Sequence, residues 1–218
     1  MMSQTVTFYF DPVSPYSWLA ARQLERLDAI GARVDFKPVL FAGLLAAHGT
    51  KGPAEIETKR AYTMRDVLRI ATRFGLQVTG PPTHPFNPLR SLRMCVAIDD
   101  VKERRRFGSA LLEGAWARGL DLTSDAVLRQ LAEECQLDGE ALLARANGGE
   151  IKQRLIDSTQ EAVRAGVFGV PTFAVDGELF WGEDRIEALL WRLQGHTIDE
   201  SLLATVLARP ASAARRAD

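Results

Sequence analysis

The chain is poor in the residues that most often carry chemistry. Its only cysteines, Cys95 and Cys135, are far apart and form no C-x-x-C pair, which excludes a disulfide framework and a local dithiol redox centre. Both lie in helix-like stretches, SLRMCVAID and VLRQLAEECQL, and read as buried, inert thiols. The three histidines, His48, His84 and His196, are scattered; neither zinc ligation nor a histidine triad has a pattern to rest on, and no metal is expected. No run approaches the ~20 apolar residues of a membrane span. The start, MMSQTVTFYFD, has no basic or apolar leader segment before its first aspartate. A cytoplasmic protein without a membrane partner is expected. Charge is nearly balanced, 27 Lys and Arg against 28 Asp and Glu, so no basic excess points to nucleic acid. The single dense basic run, KERRR at 102–106, precedes Phe107, Leu111, Leu112 and Ala115 and reads as the solvated start of an amphipathic helix.

What is present divides unevenly. At 218 residues, with 46% hydrophobic and 25% charged, the chain can build one large domain or two small cores. Strand signals cluster at the two ends: TVTFYF (5–10), ARVDFKPVL (32–40), PTFAVD (171–176) and ELFWG (178–182). Asp176-Gly177 joins the last two as a hairpin turn. Between them the period is helical. Residues 55–75 place Met64, Leu68 and Ala71 on one face and end at a glycine, and helices follow over 89–99, 103–118, 124–136, 139–146 and 150–166. The proline-rich loop GPPTHPFNP (80–88) cannot be helical. After the hairpin comes the amphipathic EDRIEALLWRL, and the tail ARPASAARRAD has little to bury and is expected to fray. The order β-α-β, a helical stretch, then β-β-α predicts an α/β thioredoxin-like fold with a large inserted all-helical domain. The expected division is 1–40 and 167–218 for the thioredoxin-like part, with 41–166 inserted.

In such a fold the start of the first helix is a chemical position. There a thioredoxin-like protein carries C-x-x-C, with a thiol whose ionisation the helix start favours. This chain has Ser14-Pro15-Tyr16-Ser17. Serine cannot form a disulfide, but its hydroxyl can donate a hydrogen bond to a thiolate brought by another molecule, and glutathione is the common small thiol. Serine at an N-cap with proline after it is also simply a good helix start, and the two readings are compatible. A second motif, Gly169-Val170-Pro171-Thr172, lies before a strand. If the Val170-Pro171 bond is cis, the Val170 N–H and C=O are left free to pair with an extended peptide such as the cysteinyl unit of glutathione. A third, Trp181-Gly182-Glu183-Asp184, opens a helix, where N–H groups could hold a carboxylate and Asp184 an ammonium.

FYFDPVSPYSWLA, GVFGVPTF and ELFWGEDR, with KRAYTMRDVLRIA and HPFNPL between them, resemble the 2-hydroxychromene-2-carboxylate isomerases, bacterial relatives of the kappa-class glutathione transferases within the DsbA-like group. The resemblance runs from about Thr5 to about Leu193. It implies that glutathione is the cofactor, that Ser14 hydrogen-bonds its sulfur, and that Val170 beside Pro171 pairs with its cysteinyl unit. It places Trp181, Gly182, Glu183 and Asp184 around the γ-glutamyl group. It also implies a homodimer acting on a small aromatic substrate. For the second substrate we take Tyr16, Lys51, Phe86 and Asn87 as contacts, with Lys59 and Arg90 as further anion-binding candidates. Here the sequence departs from the naphthalene-pathway enzymes: Gly52-Pro53 leads into Ala54-Glu55-Ile56 instead of Ser-Asn-Arg, and Leu45 stands where they have lysine.

The implied reaction is reversible addition of the thiolate to an unsaturated aromatic keto acid, rotation of the former double bond, and expulsion of the thiol. A kappa-like transferase conjugating glutathione to electrophiles is the alternative. A DsbA-like disulfide oxidoreductase is disfavoured because Ser14 stands where sulfur is needed. A noncatalytic glutathione-binding module would bind without turnover.

Overall fold

A computed structural model describes residues 4–210. The chain runs β1 (Thr5–Phe10), α1 (Pro15–Ala21), a one-turn α2 (Glu25–Asp28), β2 (Arg33–Pro38), α3 (Phe41–Ala47) and α4 (Glu57–Arg73). It continues through α5 (Leu89–Val96), α6 (Val101–Trp116), α7 (Asp125–Glu134), α8 (Gly139–Asn147) and α9 (Gly149–Arg164). It closes with β3 (Thr172–Val175), β4 (Glu178–Trp181), α10 (Ile186–Leu193) and α11 (Glu200–Leu207). Among the described residues no strand lies between β2 and β3.

The four strands make one mixed sheet in the order β2-β1-β3-β4. β1 runs parallel to β2, from Thr5 opposite Arg33 to Phe10 opposite Pro38, as the α1 crossover requires. β3 runs antiparallel to both β1 and β4. The β3–β4 turn has Asp176 at φ 49° and Gly177 at φ 83°, the left-handed pair that matches strand twist. Alternation in VTFYF sends Val6, Phe8 and Phe10 into the main core, while Tyr9 packs on the other face with Val39, Leu44, Val167 and Val170. β1 is therefore covered on both sides. This is a thioredoxin-like fold with a helical insertion.

Helix α6 lies directly on the sheet. A Cβ on Gly108 would sit 2.7 Å from the Phe36 ring and 3.0 Å from the Phe10 ring, so only glycine permits this approach. The basic run at its start departs from the solvated face expected of it. Arg104 turns inward, donating to the Phe36 carbonyl at 2.9 Å and the Ile98 carbonyl at 2.8 Å and pairing with Asp35 at 2.7 Å; Arg105 pairs with Asp28. Charge density alone does not distinguish a solvated arginine from one that ties a helix to a strand. Helix α4 also differs, burying Thr63, Val67 and Ala71 while Leu68 is 52% exposed. Both sets satisfy helical spacing and share Ala71; only the position of the neighbouring helices chooses between them. Helix α11, which the sequence reading passed over, starts at the Asp199 side chain, an acceptor for Leu202 N–H at 2.9 Å. The rest of the expected frayed tail, residues 211–218, lies outside the described residues. Cys95 and Cys135 are buried free thiols, and burial raises Cys95 to about 12.

Candidate functional site

A cavity of about 980 Å³ opens where the start of α1, the segment before β3, α3 and the first half of α4 converge. Its floor is the turn between β1 and α1. Ser14 has extended backbone, φ −89° and ψ 116°, and its Oγ accepts the Ser17 N–H at 3.2 Å. With Pro15 after it, it is an N-cap in the ordinary sense. The same Oγ donates to the Val170 carbonyl at 3.4 Å, a long contact across 156 residues of chain. Val170-Pro171 is cis. The Val170 carbonyl is therefore not wholly free, as the sequence reading had it, whereas the Val170 N–H has no partner among the described residues. Nor has the Tyr16 N–H at the helix start. No histidine, lysine or carboxylate among the described residues hydrogen-bonds the Ser14 hydroxyl, so nothing activates it as a nucleophile. At the second serine of the motif, Ser17 Oγ is buried without a partner.

Side chains from the helices hold this turn. Asp11 is fully buried; its carboxylate accepts the Val13 N–H and, across 30 residues, the Phe41 N–H that opens α3, both at 2.9 Å. Burial pushes its pKa up to about 7, against the opposing pull of those two N–H groups. Trp116 Nε1–H donates to the Pro12 carbonyl at 2.9 Å. His84 Nε2 lies 3.1 Å from the Val13 carbonyl. A carbonyl only accepts, so Nε2 carries the proton, and Nδ1 is buried without a partner. Burial lowers the pKa of His84, and its ring stands edge-on to Trp116. Pro12 and Val13, the two residues before Ser14, are thus held by Asp11, Trp116 and His84, to none of which the sequence motifs assign a role. Asp11 and His84 lie inside quoted motifs, FYFDPVSPYSWLA and HPFNPL, but their burial is a property of the fold.

The rest of the lining differs in kind. Lys51, Lys59 and Arg60 line it with Tyr62 and Phe86, and none of the three cations has an ion pair among the described residues. Arg60 is a residue the sequence reading did not select. Leu45 also faces the cavity. At the mouth Trp181, 53% exposed, meets Phe168 edge-on with ring centroids 4.8 Å apart. Gly169 allows the indole to come close, since a Cβ there would lie 2.7 Å from Trp181 Nε1.

The expected site residues therefore separate. Ser14, Tyr16, Lys51, Phe86, Val170 and Trp181 face one cavity, and Pro171 follows directly on Val170. Tyr16 is already engaged, donating to Asp66 at 2.9 Å, and burial with the Asp66 carboxylate raises its pKa. Gly182, Glu183 and Asp184 are not on the cavity wall. Glu183 accepts from Gln23 at 3.2 Å, and burial together with Asp184 raises its pKa; Asp184 is paired with Arg185 at 2.6 Å. Asn87 is not brought to the cavity: it is exposed, off the wall, and its oxygen accepts the Leu89 N–H at the start of α5. Arg90 also lies off this wall and pairs with Asp125. Proline-rich loops are poor guides to side-chain direction, which is why Phe86 and Asn87 point to different places.

Residues 5–194 match the DSBA-like thioredoxin domain. The 2-hydroxychromene-2-carboxylate isomerase of Sphingobium xenophagum is 31% identical over 193 residues, 86% of this chain and 97% of that protein. Glutathione S-transferase kappa 1 of Rattus norvegicus is 25% identical over 206 residues, 87% of this chain and 91% of that one. A solved 2-hydroxychromene-2-carboxylate isomerase superposes with a TM-score of 0.81 at 22% identity, covering 94% of this chain and all of the other. The chain belongs to the DSBA-like thioredoxin domain family, in the group that holds these isomerases and the kappa glutathione transferases.

Proposed function

We propose that the chain is a glutathione-dependent isomerase of an unsaturated aromatic keto acid. One observation carries the reading: an unactivated Ser14 hydroxyl and an unpaired Val170 N–H meet in a large cavity whose lining also holds unpaired cations. The hydroxyl suits a donor to a thiolate better than an attacking group. The Val170 edge suits a cysteinyl backbone, and the Tyr16 N–H adds a second donor near the sulfur. When bound, the thiol supplies a soft nucleophile that adds reversibly to a conjugated double bond. Lys51, Lys59 and Arg60 would orient the carboxylate of the keto acid, and Phe86, Tyr62 and Trp181 its ring. The relatives named as isomerases and glutathione transferases support this direction.

In this reading residues 1–40 and 167–218 form the unit that holds glutathione, 41–166 the inserted unit that holds the electrophile, and the enzyme is a cytoplasmic homodimer. Trp181 to Asp184 surround the γ-glutamyl end, although three of those residues must be reached past the cavity rim. The test has two stages. Thermal shift with glutathione and with S-methylglutathione asks whether the thiol itself is recognised. Product analysis with a benzylidenepyruvate then decides among an isomer with glutathione regained, a conjugate containing both molecules, which would make the chain a transferase, and no turnover, which would leave a binding module.

A further inference from the structure

Behind α3, on the side away from Ser14, lies a second cavity of about 420 Å³ between α3, α5 and α9. Leu40, Leu89, Leu155, Ile156 and Val163 give it aliphatic walls. Three cations, Arg93, Lys152 and Arg164, also line it, and no carboxylate does. Other arginines of these helices have partners: Arg90 on α5 pairs with Asp125 and Arg154 on α9 with Asp99. None of the three cations at this groove has an ion pair among the described residues. Arg93 is half-buried, and its Nε is buried without a hydrogen-bond partner. A guanidinium N–H withdrawn from water without an acceptor is unfavourable, and an anion beside Arg93 would relieve it.

We propose that this groove is a second ligand site, for a monoanion on an apolar body such as an acyl or aromatic carboxylate. The planar guanidinium fork of Arg93 matches a carboxylate bidentately, with Lys152 and Arg164 adding charge at the more exposed rim. The aliphatic walls take the apolar body. A free phosphate fits less well: apart from the cations, Thr159 and Gln160, the lining is apolar and would be left uncovered by it. The site is separate from the glutathione reading and does not rest on it. Helix α3 is the partition between the two cavities, with Phe41 and Leu45 facing one and Gly43 and Ala47 the other. The partition is held firmly on the α9 side, where the Thr159 hydroxyl accepts the Leu40 N–H at 3.0 Å.

The test is calorimetric titration of the full chain with decanoate, decanol and inorganic phosphate. Saturable binding of decanoate, with decanol and phosphate far weaker, is expected. Arg93→Gln should weaken decanoate roughly tenfold or more, the loss of a charge-assisted pair, with the glutathione thermal shift unchanged. The exposed pair Lys152→Gln and Arg164→Gln, which cannot disturb the core, should weaken it severalfold and flatten its salt dependence, and this serves if Arg93→Gln does not fold. Equal affinity for decanol, displacement by glutathione, or indifference to all three substitutions would overturn the proposal. So would a dimer, broken by Ile156→Lys, that covers the groove and leaves decanoate without effect.

Discussion

The two walls of the main cavity are built on different principles. On the Ser14 side almost every polar group is backbone or a short side chain, and Asp11, Trp116 and His84 hold each residue before Ser14 in place. On the α4 side Lys51, Lys59 and Arg60 project without partners. In the proposed function, a wall made of fixed main chain would read a ligand's backbone and sulfur whatever the surrounding sequence. A wall of unpaired side chains recognises whatever those side chains are. Substitutions on the second wall should change which electrophile is taken, while substitutions on the first should lower turnover for all of them alike.

The sharpest way to break this contrast is at Asp11. Its folded pKa of about 7 stands above its ordinary 3.8, so the native state holds a proton that the unfolded chain releases. Its contribution to stability is fully present below about pH 4 and is lost as pH rises through about 7. Three units correspond to a few kcal/mol, on the order of 4. Asp11→Asn should flatten chemical-denaturation stability between pH 4 and 8 relative to the unsubstituted chain. It should also cost about 1–3 kcal/mol at low pH, because the Val13 and Phe41 N–H groups meet different oxygens and the amide turns an NH2 donor toward one of them. Parallel pH curves for the two proteins would show that the turn is not anchored through this carboxyl.

Next in size is Ser14→Ala. Turnover at neutral pH should fall roughly ten- to a hundredfold, the worth of one charge-assisted hydrogen bond, and recover partly as pH rises and the thiol ionises unaided. Thiolate absorbance of bound glutathione against pH is the direct readout. The variant also loses a helix cap, at about 1 kcal/mol, so its stability is measured alongside. An unchanged thiol pKa with normal turnover would reduce Ser14 to a cap.

Lys59→Gln and Arg60→Gln should raise KM for a carboxylate electrophile by roughly threefold to tenfold each, with glutathione affinity unaltered. An equal loss for an uncharged electrophile would mean that this wall acts through shape. The smallest effect is expected from Gly169→Ala. It pushes the Trp181 indole aside and should change KM for aromatic electrophiles about twofold to threefold, with little effect on turnover.

The strands, the hairpin turn, the helical stretch and the Ser14 and Val170 motifs were legible because each is written in local chemistry: period, φ preference and capping. From these the thioredoxin-like fold and one wall of the cavity follow, and Ser14 and Val170 do meet across 156 residues. Long-range neighbours were not legible. That Asp11 is buried, that Leu68 faces solvent while Val67 does not, and that Arg104 is stitched to β2 all depend on which helix lies where. So do the outward turn of Asn87 and Arg90 and the convergence of Arg60 with Lys51 and Lys59. Spacing along a helix determines which residues share a face. Desolvation and charge pairing are decided by residues arriving from elsewhere in the chain, and only the packed tertiary structure brings them together.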